Sequence, residues 1–220
     1  ARRAHRAEPG RLRLTPTMAD YFYEPRAGHG LPHDPFKAIL APRPIGWISS
    51  VDARGRPNLA PYSFFNGVCD APPMVYFSTT GARKDSVSNI EATGEFVVNF
   101  VGAHHAQAMN ATSASVPHGV NEFELAGLAA APCRLVKAPR VADAIASMEC
   151  RLAQIIPLHT ADSRPLEGWI TIGEVVGVHI DERFLVDGRF DTAGARPIAR
   201  CGYRGDYAEV TQLFEMIRPR

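Results

Sequence analysis

Short motifs that mark the commonest enzyme classes are missing from these 220 residues. The chain has no GxGxxG fingerprint and no GxxxxGK[ST] loop, which excludes a Rossmann dinucleotide site and a P-loop. It also has no GxSxG elbow and no HExxH pair, which excludes the usual serine hydrolase and zinc peptidase signatures. The common enzyme classes that these motifs mark are therefore excluded.

Cysteine is scarce, since the chain holds only Cys69, Cys133, Cys150 and Cys201, and no two of them form a CxxC pair. A zinc ribbon and a thioredoxin-type motif are thus excluded, and scattered thiols are typical of a reducing compartment. We therefore predict a cytoplasmic location. The longest stretch without Asp, Glu, Lys or Arg, residues 96–121, contains asparagine, histidine and proline, so we predict no membrane span and no membrane partner.

Excess charge of either sign is also lacking, because the formal net charge is +1. The arginines are uneven, however: residues 1–17 hold five of them with a single glutamate, and the remainder is mildly acidic. We therefore predict no nucleic-acid partner. Residues 1–17 have almost no apolar periodicity and are predicted to be a disordered basic arm, which leaves residues 18–220 as a single domain.

The apolar pattern that is present favours β-structure. It predicts a hairpin over residues 44–63 and further strands that are rich in β-branched and aromatic residues: 74–78, 95–101, 148–159 and 169–181. Short helices are predicted over residues 86–91, 104–112 and 121–127, with another after Gly205. Many strands and few helices indicate a mainly β protein, either a closed or a split antiparallel barrel.

Histidine offers little support for a metal site. His104 and His105 are adjacent, so on a helix their side chains would point apart. His29 and His33 lie among glycine and proline, where their spacing defines no helical face. We therefore predict no metal ligands.

Two segments carry residues suited to ligand binding. Residues 41–50 and 58–65 combine aromatic rings with small polar side chains, which suits either a planar heteroaromatic ligand or an ordinary sheet core. Residues 76–86 place hydroxyl groups, a glycine turn, Arg83 and Lys84 before a helix, an arrangement that favours a phosphate. A polar turn before a capped helix would give the same pattern.

A resemblance favours the ligand-binding interpretation of both segments. The runs Arg43–Ser50, Asn58–Phe65 and Lys84–Ser86, with Asn89 and Ile90, resemble the flavin reductase-like, FMN-binding split-barrel family. That family includes flavoredoxin-type proteins and the reductase components of two-component monooxygenases. The resemblance implies a mainly β, FMN-binding split β-barrel with a few short peripheral helices. It also implies a homodimer with the flavin near the subunit interface.

The resemblance implies an FMN site that draws on both segments. The first segment would line the isoalloxazine ring and ribityl chain, and the second would surround the 5′-phosphate, with Asp85 capping the helix. The implied cofactor-binding residues are Arg43, Trp47, Ser49, Ser50, Asn58, Ala60, Pro61, Tyr62, Ser63, Ser78, Thr79, Lys84, Asp85 and Ser86.

The implied function is an oxidoreductase in which NADH or NADPH passes a hydride to FMN, with a monooxygenase or other electron acceptor as partner. This chemistry needs no general acid or base, so we name no catalytic residue. His179 and Tyr203 have two open interpretations, contact with flavin or nicotinamide and a core or interface role. Two alternatives stay open: a non-enzymatic FMN-binding electron carrier, and a split barrel for haem or pyridoxal phosphate.

Overall fold

A computed structural model describes residues 19–219. The predicted basic arm, residues 1–17, lies outside the described residues. The chain divides into two compact units, Ala1–Asp34 and Pro35–Arg220. Within the described part of the first unit, a 3₁₀ helix spans Pro25–Ala27, and the Tyr21 hydroxyl donates to the His29 carbonyl oxygen at 3.0 Å.

The second unit is built mainly from strands. They are β1 (Arg43–Pro44), β2 (Gly46–Val51), β3 (Pro57–Tyr62), β4 (Phe65–Asp70), β5 (Pro73–Thr80), β6 (Glu95–Asn99), β7 (Ala130–Ala131), β8 (Arg140–Val141), β9 (Ala146–His159), β10 (Pro165–Ile180), β11 (Leu185–Val186), β12 (Arg189–Phe190), β13 (Ile198–Arg200) and β14 (Tyr207–Glu209).

The helices are short and lie between the strands. They are α1 (Phe36–Ile39), α2 (Asp85–Thr93), α3 (Ala106–Ala111), α4 (Glu122–Leu125) and α5 (Thr192–Ala195), with 3₁₀ turns at Ala103–His105 and Glu182–Phe184. The predicted mainly β protein with a few short helices is therefore confirmed. Between residues 19 and 219, no helix has the length and apolar character needed to cross a membrane.

Seven strands form the main sheet in the order β3-β2-β6-β9-β10-β5-β4, with antiparallel neighbours throughout. β3 and β4 lie at opposite edges, yet only two residues separate them in sequence. The edges must therefore approach each other, and the sheet curls into a barrel. Across this seam the rings of Tyr62 and Phe77 lie with their centroids 4.8 Å apart.

Side chains alternate between the two faces of the sheet along each strand, and a separate apolar cluster covers each face. On the inner face, Ile48, Phe77 and Phe96 pack together, and α2 adds Val87 and Ile90 to the same cluster. All five are buried. The helix α2 is thereby fixed against the barrel by its apolar residues.

On the outer face a second cluster joins Trp47 and Leu59 to Met109 of α3 and Phe123 of α4. Strand β2 is consequently buried at every position from Gly46 to Val51. This second cluster brings the chain around α3 and α4 close to β3, which has consequences for the site described below.

The predicted hairpin is confirmed as β2 and β3, which pair in register from Gly46 opposite Tyr62. The Asp52 carboxylate organises the turn by accepting hydrogen bonds from the backbone N–H groups of Arg54 and Arg56, at 2.8 and 2.9 Å. β3 is an edge strand, which is where a proline such as Pro61, lacking an N–H donor, is tolerated.

Two expectations were wrong. The segment after Gly205 forms strand β14 rather than a helix, because it pairs with β13. The rings of His104 and His105 do not point apart but lie 4.0 Å from centroid to centroid, because side chains that leave the backbone in different directions can still bring their rings into contact.

Candidate functional site

A cavity of about 320 Å³ lies where β3, the start of α2 and the segment after α3 meet. Asn58, Ala60 and Tyr62 share one face of β3, because side chains two residues apart in a strand point the same way. The cavity is lined by Asn58, Ala60, Pro61, Tyr62, Arg83, Lys84, Asp85, Ser86, Thr112, Ser113, Ala114, Ser115, Val116, His118 and Glu122.

The Ser86 hydroxyl is the best-organised polar group in this cavity. Its oxygen accepts hydrogen bonds from the Asn58 amide and from the Tyr62 hydroxyl, both at 3.0 Å. A serine hydroxyl has two acceptor sites and one proton. With both acceptor sites in use, the remaining capacity of Ser86 is donation, which suits an anionic ligand.

Tyr62 is fixed as a hydrogen-bond donor. Burial raises the pKa of its phenol to about 12, so the hydroxyl keeps its proton at neutral pH. Its ring packs on Phe77 at the barrel seam. The orientation of the Ser86 hydroxyl therefore rests on a rigid, uncharged neighbour.

The start of α2 supplies positive charge and free backbone donors. The first N–H groups of an α-helix have no partner within the helix and favour an anion. Lys84 is the N-cap residue and is exposed, and within residues 19–219 no hydrogen bond or ion pair engages its ammonium group. Arg83 is committed elsewhere, to Glu91 at 2.6 Å and to the face of the Trp169 ring.

The expectation that Asp85 caps α2 was wrong. Asp85 is the first residue of the helix, and neither it nor Lys84 makes a side-chain capping hydrogen bond. The Asp85 carboxylate is instead drawn to the His118 ring, with Oδ1 3.0 Å from Nδ1. The other ring nitrogen of His118 lies 3.1 Å from an Arg56 guanidinium nitrogen. A neutral His118 that donates through Nδ1 and accepts through Nε2 satisfies both contacts.

Glu122 brings a second carboxyl group to the cavity wall. One oxygen accepts a hydrogen bond from the backbone N–H of Leu59 at 3.0 Å. Burial raises the pKa of this carboxyl group, and the Asp85 charge adds to that effect. Glu122 and Asp85 thus line the same cavity as Lys84.

Four of the predicted site residues lie outside the lining of the cavity. The Trp47 indole donates to the Thr112 hydroxyl at 2.9 Å, and Ser50 accepts from the Asn89 amide on α2 at 3.3 Å. These two therefore position a wall residue and the helix. Ser49 donates to a loop carbonyl oxygen, and Arg43 donates to the carbonyl oxygens of residues 37 and 201.

Three further predicted residues do not line the cavity either. Ser63 and Ser78 are half-buried, while Thr79 is only 3% exposed on β5. The Thr79 hydroxyl is buried and has no hydrogen-bond partner within residues 19–219. The cavity thus brings together half of the fourteen predicted residues: Asn58, Ala60, Pro61, Tyr62, Lys84, Asp85 and Ser86.

The segment 112–118 and Glu122 complete the cavity and were missed by the sequence analysis. A run of small residues, Thr112 to Ser115, of which three carry a hydroxyl group, follows α3 directly and was a usable signal for a polar wall. No local pattern, however, places this run beside β3. Its position follows from the packing of α3 and α4 on the outer face of the sheet.

His179 lies on β10 in a different polar cluster. Its Nε2 is 2.6 Å from the Glu149 carboxylate, which also accepts hydrogen bonds from three backbone N–H groups, those of Arg134, Leu135 and Val136. Burial acts to raise the pKa of Glu149, but these hydrogen bonds outweigh it and leave the pKa below its usual value.

The Cys133 thiol completes this cluster, with the potential ligand atoms of Cys133, Glu149 and His179 all within 4.8 Å of one another. Burial raises the pKa of Cys133 to about 11, so the group is a neutral thiol. Three of the four hydrogen bonds to Glu149 come from the backbone of residues 134–136, so the cluster anchors that segment to β9.

Comparison with known proteins identifies related chains. A family model described as "Flavin reductase like domain" matches residues 40–194. An uncharacterised protein of Aquifex aeolicus is 38% identical over 168 residues, which are 74% of this chain and 83% of that protein. Nitrilotriacetate monooxygenase component B of Bacillus cereus is 33% identical with a TM-score of 0.81, covering 91% of this chain and all of that one. A split-barrel flavin reductase structure from Shewanella frigidimarina has a TM-score of 0.73 at 22% identity, covering 84% of this chain and 90% of that one, and shares the fold.

Proposed function

Because the chain belongs to the flavin reductase-like domain family, we propose that it binds FMN in the cavity and acts as an NAD(P)H-dependent flavin oxidoreductase. The fold is the split barrel of that family. Residues 18–220 carry the proposed function, and no residue is assigned as an acid, a base or a metal ligand.

One arrangement supports FMN binding most directly: the Ser86 hydroxyl at the start of α2 has both acceptor sites filled and its proton left to donate. Lys84 lies two residues before it in sequence, with a charge that no other described residue neutralises. A phosphate accepts hydrogen bonds and carries negative charge, so it complements both groups. The cavity volume of about 320 Å³ falls within the ~300–1,000 Å³ typical of small-molecule sites.

The protein would bind and orient the cofactor through these groups. The amides at the start of α2, Lys84 and Ser86 would hold the phosphate, while Tyr62 and the small residues of 112–116 would line the rest of the ligand. When bound, FMN supplies the N5 atom that accepts a hydride from the nicotinamide. Haem lacks a phosphate and fits these donors less well.

The proposal also covers the oligomeric state, the cellular location, the co-substrate and the electron acceptor. We propose a homodimer, because the edges of a split barrel and its exposed apolar residues favour a twofold partner. The cytoplasm is the proposed location, and NADH or NADPH the proposed co-substrate. The similarity to a monooxygenase component favours a monooxygenase as the acceptor of the reduced flavin.

Anaerobic mixing of the FMN-loaded protein with NADH, and separately with NADPH, tests the activity. Loss of the oxidised-flavin absorbance within seconds, dependent on one nicotinamide, is the expected result. Free FMN at the same concentration is the control for the uncatalysed reaction. A bound flavin that dithionite reduces but neither nicotinamide reduces would contradict the reductase and would leave the electron carrier as the function.

A further inference from the structure

The segment from Val210 to residue 219 has four large apolar side chains that face solvent. Leu213, Phe214, Met216 and Ile217 are 66, 87, 83 and 86% exposed. The segment belongs to no helix or strand. Single exposed apolar residues are common on protein surfaces, but four within five positions form an apolar strip that only Glu215 interrupts. We name residues 210–219 the apolar tail.

The apolar tail begins beside a groove in the same chain. The backbone N–H of Val210 donates to the Pro197 carbonyl oxygen at 2.9 Å, and Arg196 forms an ion pair with Glu209. These contacts fix the start of the tail against β13. Pro197 and the following residue also form part of the wall of a groove of about 290 Å³.

The lining of this apolar groove is made almost entirely of carbon. Its polar members, Asn99 and Ser147, hydrogen-bond to each other at 3.1 Å, and the Asn99 amide also donates to backbone and side-chain oxygens. Val178, 57% exposed, forms part of its rim. The groove therefore suits apolar side chains rather than a charged ligand. It is lined by Pro44, Ile45, Phe65, Val98, Asn99, Phe100, Val101, Ala146, Ser147, Met148, Val178, Ile180, Phe190, Pro197 and Ile198.

We propose that the apolar tail of one copy of this chain docks in the apolar groove of a second copy, and that the second copy makes the same contact in return. This inference rests on the homodimer in the proposed function and names the surfaces that form it. The start of the tail is held at the edge of its own groove, yet its apolar side chains lie in solvent. A twofold operator would cover both strips and both grooves at once, since each surface is present on each chain.

Sedimentation of the FMN-loaded protein over a range of concentrations tests the role of the tail. The double variant Phe214→Ser/Ile217→Ser should dimerise ~100-fold more weakly than the unchanged chain, about tenfold for each large side chain that loses its burial. Leu125→Ser, which removes an exposed apolar side chain on α4, is the matched control and should leave the dimer unchanged.

The flavin absorbance of the same samples shows whether FMN is bound, so failure of the tail contact, of the homodimer and of FMN binding can be distinguished. If the double variant dimerises as tightly as the Leu125 control, the tail does not form the interface, although the homodimer stands. If the unchanged chain is a monomer that carries FMN, both the tail contact and the homodimer are wrong and FMN binding stands.

Cross-linking decides whether the contact joins two chains. In a Cys69→Ser background, which removes the exposed native thiol, Phe214→Cys chains are mixed with mass-tagged Val178→Cys chains and a short bis-maleimide. The expected product joins one chain of each kind, and Leu125→Cys chains should give none with Val178→Cys chains. A doubly substituted chain that cross-links only within itself, independently of concentration, would show that the tail folds into its own groove and would overturn the proposal.

Discussion

Replacing Lys84 with alanine separates phosphate recognition from recognition of the flavin ring. Lys84 is exposed at the start of α2, and no described residue pairs with its ammonium group. The substitution therefore removes a charge without leaving a buried partner behind. If the ammonium group binds the FMN phosphate, one charge-assisted hydrogen bond is lost, at about 1.5–3 kcal/mol. FMN should then bind ~10- to 150-fold more weakly.

Titration calorimetry with FMN and with riboflavin, which lacks the phosphate, measures this effect. Riboflavin should bind the Lys84→Ala variant and the unchanged protein equally. Lys137→Ala serves as the matched control, because Lys137 is also exposed but lies outside the lining of the cavity. Tyr62→Ala should weaken both flavins, since its contact does not depend on the phosphate.

Two outcomes would refute the reasoning about Lys84. Equal FMN affinity before and after the substitution would show that Lys84 is merely a solvated residue. An equal loss of affinity for FMN and riboflavin would show that Lys84 acts on the ring or on the fold and not on the phosphate. Melting temperatures of the variants distinguish these last two effects.

Three other substitutions test the packing and hydrogen bonding around the site and barrel. Ser86→Ala should weaken FMN binding and lower the free energy of unfolding by about 1–3 kcal/mol, because it leaves the donors of Asn58 and Tyr62 without their acceptor. Equal stability in denaturant melts would argue against the shared acceptor. Glu149→Gln should lower the free energy of unfolding by ~3 kcal/mol at neutral pH. The folded-state pKa of Glu149 lies below its unfolded value. The stabilisation is therefore present above the unfolded pKa and is lost as the pH falls through the folded pKa. If the difference in unfolding free energy between the variant and the unchanged protein stays constant on acidification, the assignment is contradicted. Gly173→Ala should lower the free energy of unfolding by about 1–3 kcal/mol, because the new Cβ would lie 2.4 Å from the buried Phe96 ring. The control Gly67→Ala places its Cβ no closer than 3.9 Å to another atom and should have little effect in the same melts.

Local sequence patterns predicted much of the barrel. Alternating and β-branched runs placed β9 and β10 within a few residues of their bounds, and the Asp52 turn indicated the β2–β3 hairpin. The predicted helix over residues 86–91 corresponds to α2, which is followed by Gly94, whose φ of 75° is a left-handed conformation that glycine adopts readily. These features depend on residues close together in sequence, so a single chain is enough to predict them.

The direction in which strand residues point was harder to predict. Trp47 and Tyr62 belong to the two runs that carry the family resemblance, but Tyr62 faces the cavity and Trp47 packs behind its wall. Their separation depends on the hairpin register and on which sheet face receives α3. The cavity wall formed by residues 112–118, which the sequence patterns did not predict, likewise depends on contacts between elements far apart in sequence.

A crystal structure of the protein with FMN tests the central claim most directly. We predict the FMN phosphate within hydrogen-bonding distance of the Ser86 hydroxyl and the Lys84 ammonium group, against the first turn of α2. A phosphate bound elsewhere, such as the cavity beside Arg134, Arg140 and Arg183, with α2 free of contact to the ligand, would contradict the account.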